Sequence, residues 1–140
     1  MKIAIVYWSG TGNTESMADI INKKCKELGA ETTMFFGAEF DASDLPNYDA
    51  VAFGCPASGD ESLEESEFQP MWDAVKPKLA RKKIALFGSF SWNEGKWMET
   101  WEEDAKTTGA NIVHAPVIAE ERPNYACRRE LEELAADLMK

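Results

Sequence analysis

Three short apolar runs without a polar interruption, Ile3 to Val6, Val51 to Phe53 and Ile84 to Phe87, constrain this chain more than any other feature. A strand with one wet face alternates apolar and polar residues. A strand buried on both faces does not, and both faces are covered only where helices pack on each side of a parallel sheet. Between the runs lie stretches with apolar residues at helical spacing: Met17, Ile21, Cys25 and Leu28; Phe68, Met71, Trp72, Val75 and Leu79; Trp97, Trp101 and Ala105; Leu131, Leu134, Ala135 and Leu138. Gly29 and Gly109 stand where helix C-caps belong, each before a further apolar segment, around Met34 to Phe36 and Ile112 to Ile118. The alternation predicts an α/β fold, a doubly wound five-stranded parallel sheet with helices on both faces. In such sheets ligands bind beyond the carboxyl ends of the strands, where strand order reverses. The loops after Tyr7, Gly54 and Gly88 are therefore the candidate sites.

No repeat, low-complexity tract or Pro/Gly-rich linker interrupts the pattern, so residues 1–140 read as one domain. A domain of this length buries roughly two thirds of the surface its unfolded chain exposes, enough for a core without disulfide or metal staples. With 15 Lys+Arg against 25 Asp+Glu the net charge is -10, and no compact run of Lys and Arg offsets it. Such a surface repels phosphate backbones and anionic lipids, which excludes nucleic acid and membrane partners. The opening apolar run is too short for a signal segment or a membrane span, and a cytoplasmic location is expected. Cys25, Cys55 and Cys127 are odd in number and lack C-x-x-C spacing, so free thiols are expected and a metal site is not.

The first candidate loop reads Trp8, Ser9, Gly10, Thr11, Gly12, Asn13, Thr14 before Glu15. Two glycines let the backbone turn tightly and approach a ligand, and the following helix presents unpaired N–H groups. Hydroxyls of Ser9, Thr11 and Thr14 and the Asn13 amide add neutral donors. A nucleoside triphosphatase loop needs a lysine that is missing here, and a dinucleotide loop needs a third glycine where Glu15 stands. A terminal phosphomonoester held by neutral donors fits better than either.

This loop resembles the phosphate loop of flavodoxins, small FMN-binding electron carriers, and the resemblance continues along the chain. Cys55, Pro56, Ala57, Ser58, Gly59, Asp60 and Glu61, followed by Leu63, Glu64, Glu65 and Ser66, are similar to the flavodoxin loop after the third strand. Leu86 to Ser89, with Trp92, Gly95, Lys96, Trp97 and Met98, are similar to the loop after the fourth. The short-chain flavodoxins of anaerobic bacteria are most alike, because the last strand carries no long insertion. Flavodoxins are themselves a standard example of strand order 2-1-3-4-5 with FMN at the switch point.

The resemblance implies that Ser9, Thr11, Asn13 and Thr14 bind the FMN phosphate, helped by the Ser89 region. It implies that Trp92 stacks on the isoalloxazine and that Phe90 and Ser91 before it also bind the cofactor. It implies that the peptide at Gly59 turns over on reduction so that a carbonyl meets the protonated N5, and that Glu61 accepts from the flavin N3–H. Function follows as a low-potential carrier shuttling between semiquinone and hydroquinone as a ferredoxin substitute. A rival on the same fold is an NAD(P)H-dependent FMN reductase or quinone reductase.

Ser58 departs from the pattern, since close relatives commonly carry a large side chain there over the inner flavin face. The expectation is a more open face, or one covered by Trp8. Asp60, Glu61, Glu64, Glu65 and Glu67 crowd the loop expected to border the flavin. They read as a potential-lowering charge and as an acidic helix start, and the first reading implies redox partners with basic docking surfaces, the ferredoxin- or flavodoxin-dependent oxidoreductases, met by a monomer. Cys55 lacks the nearby arginine of a cysteine phosphatase, and His114, the only histidine, is expected to be structural.

Overall fold

The computed structural model describes residues 1–58, 62–91 and 95–140. Strand β1 (Lys2–Tyr7) pairs in parallel with β2 (Glu31–Phe36) on one side and β3 (Ala50–Gly54) on the other, and β3 pairs with β4 (Lys83–Phe90). The expected fifth strand is split into β5 (Asn111–Ile112) and β6 (Val117–Glu120), both parallel to β4. The two segments pair with successive parts of β4, Lys83 and Ile84 for β5 and Phe87 to Phe90 for β6, so the order is β2-β1-β3-β4-β5 with β6 further along the same edge. The sequence predicts one continuous strand from about Ile112 to Ile118. The break falls at Val113 to Pro116, where the proline nitrogen has no hydrogen to donate to a ladder. Switch point and loops lie where the order predicts.

Side-chain alternation explains the uninterrupted runs. Ile3, Ile5 and Tyr7 face α1 (Asn13–Glu27) and α4 (Tyr125–Leu138), joining Met17, Ile21, Leu131 and Leu134. Ala4 and Val6 face α2 (Phe68–Val75) and α3 (Lys96–Thr107), joining Phe68, Trp72, Trp97 and Trp101. Successive residues of one strand thus enter two different cores, and each must be apolar. Gly29 ends α1 with φ 94, its N–H bonding the Lys26 carbonyl while Ala30 N–H bonds that of Cys25. This is the left-handed cap its position predicts.

The second core is aromatic. Trp72 and Trp101 pack edge to face at 5.6 Å, and Phe53 and Phe68 extend the cluster. Their polar handles differ. Trp72 Nε1 donates to Asp104 Oδ2 at 2.8 Å, joined there by Lys76 Nζ at 3.0 Å, which ties α2 to α3. Burial alone would raise the Asp104 carboxyl, but the bonds from Trp72 and Lys76 outweigh it and hold the group below its ordinary range. Trp101 Nε1 is buried with no hydrogen-bond partner among the described residues. Trp72→Phe is therefore expected to destabilise the protein by about 1–2 kcal/mol more than Trp101→Phe, since only the first breaks a made bond. Urea unfolding of the two variants measures the difference, and equal losses would contradict it.

Candidate functional site

The chain leaves β1 along β3, with Trp8 N–H on the Gly54 carbonyl at 3.0 Å, and then turns into α1. Gly12 makes that turn with φ 97, a region that penalises any Cβ. Its carbonyl accepts from both the backbone N–H and the hydroxyl of Ser16 at 3.0 Å. At Gly10 the constraint is space: a Cβ there would lie 3.1 Å from the Trp8 ring, a contact relieved only if that ring shifts by a few tenths of an ångström. Ser9 Oγ accepts from the N–H groups of Gly12 (3.1 Å) and Glu15 (3.3 Å) and so fixes the loop's curvature. The N–H groups of Thr11, Asn13 and Thr14 have no acceptor among the described residues. Three such donors at a helix start, on residues that line the cavity and backed by a positive dipole end, form an anion cradle.

The other two loops close around it. Beyond β3 the ladder to β4 continues, Cys55 N–H to the Phe87 carbonyl at 3.1 Å and Ala57 N–H to that of Ser89 at 3.0 Å. Trp97 Nε1 donates to the Cys55 carbonyl at 3.1 Å. Thr14 Oγ1 and Ser89 Oγ lie 2.7 Å apart, both buried, and lock the phosphate loop to the end of β4. The resulting cavity of about 380 Å³ is lined by Trp8 to Thr11, Asn13 and Thr14 from the first loop, Pro56, Ala57 and Ser58 from the second, and Ser89, Phe90 and Ser91 from the third. Every described member of the predicted site lines it except Gly12, which supplies the turn beneath. Gly59, Asp60, Glu61 and Trp92 lie outside the described residues.

The acidic stretch divides into different tasks. Glu64 is buried, and its carboxylate accepts from the N–H groups of Ser66, Glu67 and Phe68 at 2.8 to 2.9 Å and from the Ser66 hydroxyl. Burial pushes this carboxyl up, but those bonds outweigh it and hold it below its ordinary range, so Glu64 is the anionic start of α2. Glu67 accepts from Trp8 Nε1 at 3.3 Å and so reaches the cavity wall, a contact with no signal in the sequence because the two residues lie on different loops. Cys55 is buried and its thiol is pushed up to about 12 by burial, which removes it as a nucleophile. All three cysteines are free. His114 sits away from the cavity, with Nδ1 2.7 Å from Asp137 Oδ2 on α4.

A doubly wound parallel sheet with a neutral anion cradle at its switch point belongs to the α/β class whose ligands bind beyond the carboxyl ends of the strands. The flavodoxin family profile matches residues 5–134. The chain is 44% identical to the flavodoxin of Clostridium beijerinckii over 122 residues, 87% of this chain and 88% of that one, and 40% identical to the flavodoxin of Megasphaera elsdenii over 134 residues, 96% and 98% of the two. The solution structure of the two-electron reduced Megasphaera elsdenii flavodoxin superposes with a TM-score of 0.87 at 41% identity, covering 96% of this chain and 98% of that one. The chain belongs to the flavodoxin family. Flavodoxins bind FMN and carry electrons for redox partners, and they are not enzymes. No helix among the described residues is long and apolar enough to cross a membrane.

Proposed function

We propose that residues 1–140 form one FMN-binding unit in which the switch-point cavity holds the cofactor. The observation that carries this is the cradle itself: N–H groups of Thr11, Asn13 and Thr14 without an acceptor among the described residues, and no Lys or Arg in the lining. Ser9, Gly10, Thr11, Gly12, Asn13 and Thr14 hold the phosphate, with Ser89 fixing Thr14 from behind. Pro56, Ala57, Ser58, Phe90 and Ser91 form the walls for a flat ring system, and Trp8, pinned by Glu67, forms the wall that small Ser58 leaves open. On the family resemblance Gly59, Asp60, Glu61 and Trp92 complete the site. Bound FMN supplies one-electron chemistry.

The protein tunes that chemistry with charge. Glu64 is kept ionised by its hydrogen bonds and Glu67 accepts from Trp8, which lines the cavity, so added negative charge on the cofactor is disfavoured and the lower potential falls. The same acids suit basic docking surfaces on oxidoreductases that use ferredoxin or flavodoxin, met by a cytoplasmic monomer. Addition of FMN to apoprotein is expected to give a saturable yellow complex with quenched flavin fluorescence, and reductive titration two resolved one-electron steps. Absence of a complex would refute the assignment, and rapid bleaching by NADPH alone would favour the reductase.

A further inference from the structure

The cradle contains no cation, yet the fold gathers three beside it. A cleft of about 410 Å³ between α1 and α4 is lined by Lys23, Arg122 and Arg128, with Asp19 as the single acid, so the lining carries net positive charge. None of the three cations forms an ion pair with any described residue, although the chain has 25 acids to offer. Three cations facing one acid leave an excess of like charge in the lining, although Glu27 and Glu132 border the adjoining groove beside Lys23 and Arg128, and an anion relieves that excess. The cations also arrive separately: Lys23 from α1, Arg128 from α4, and Arg122 from the turn after β6.

That turn is held at both ends. Glu121 adopts φ 58, uncommon for a residue with a side chain, while its N–H closes the β6 ladder on the Phe90 carbonyl at 2.7 Å. Two residues beyond Arg122, the Asn124 side chain caps α4 by accepting from Cys127 N–H at 2.9 Å. The backbone on either side of Arg122 is thereby held, and its exposed side chain joins the cleft lining. Ser16, also in the lining, donates to the Gly12 carbonyl, so the cleft begins one helical turn from the cradle.

We propose that this cleft is a second anion site that takes a phosphate group, gripped by the guanidinium groups of Arg122 and Arg128 and the ammonium of Lys23. The phosphate comes either free from solution or on FMN approaching the cradle, and the second source rests on the cofactor reading above. FMN-loaded protein, its cradle filled, should be titrated with inorganic phosphate at constant ionic strength while amide shifts are followed by NMR. Saturable shifts at Lys23, Arg122 and Arg128, abolished in the Arg122→Gln/Arg128→Gln double variant, are expected. Shifts that never saturate, or that persist unchanged in that variant, would overturn the site even though FMN remains bound.

Association of FMN with apoprotein separates the sources. If the incoming cofactor uses the cleft, the double variant binds FMN about threefold or more slowly at low salt, the gap closes above roughly 0.5 M salt, and riboflavin is unaffected. If the rates are equal while phosphate still saturates the loaded wild type, the site serves free phosphate.

Discussion

Replacing Gly88 with alanine is expected to cost about 3 kcal/mol or more, lowering the thermal midpoint by about 10 °C or preventing folding. Gly88 lies inside β4, paired with Ile118, and has no unusual backbone angle to protect. Its constraint is proximity. A Cβ built there would lie 2.1 Å from the Cys55 carbonyl oxygen and 3.1 Å from both the Cys55 carbonyl carbon and the Trp97 ring. Neither neighbour can yield cheaply: that oxygen is backbone and accepts from Trp97 Nε1, and the Cys55 N–H is bonded to Phe87. Making room would break the ladder that carries the chain from β3 into the cavity wall, and buried backbone groups left unpaired are costly. Gly29→Ala is the comparison, since its Cβ would meet nothing and only φ 94 opposes it, at a cost of about 1 kcal/mol. Thermal melts rank the two, and a Gly88→Ala protein as stable as Gly29→Ala would contradict the geometry.

The second large effect is expected on binding rather than stability. Asn13→Asp changes hardly any volume but puts a carboxylate on the wall of the cradle. Two like charges about 4 Å apart near a protein surface repel by roughly 4 kcal/mol, so FMN affinity should fall about a hundredfold or more. Riboflavin, lacking the phosphate, should bind the variant and the wild type nearly alike. Stability of the apoprotein should hold or rise slightly, because Asn13 is the first residue of α1 and an acid there suits the helix dipole. Fluorescence titrations with the two flavins, beside melts of the apoproteins, separate affinity from folding. Equal loss for both flavins would mean that Asn13 does not face the phosphate.

Much of this was legible in the sequence because it rests on local rules. The uninterrupted runs announced strands covered on both faces, Gly29 and Gly109 marked helix ends and have φ 94 and 77, and the loop around Gly12, read as a ligand loop, lines a cavity at the switch point. What escaped depends on groups brought together only by folding. The sequence shows no compact run of cations, yet Lys23 meets Arg122 and Arg128 when α4 packs on α1. The acidic stretch gives no sign that Glu64 turns inward as a cap while Glu67 reaches Trp8, because the sorting depends on where the preceding loop ends. Gly10 and Gly12 look equivalent on paper, and only the folded loop shows that a Cβ at the first would crowd the Trp8 ring while the second holds a left-handed backbone angle.

The divided edge of the sheet has a consequence for how this chain can be enlarged. Between β5 and β6 the backbone departs from β4 and then returns to it, with exposed Ala115 on the detour and Pro116 offering no N–H. Residues added after Ala115 lengthen the detour without removing a rung on either side, and closing a longer loop costs little entropy. A tether for an electrode, or a small domain grafted to choose an electron acceptor, belongs there.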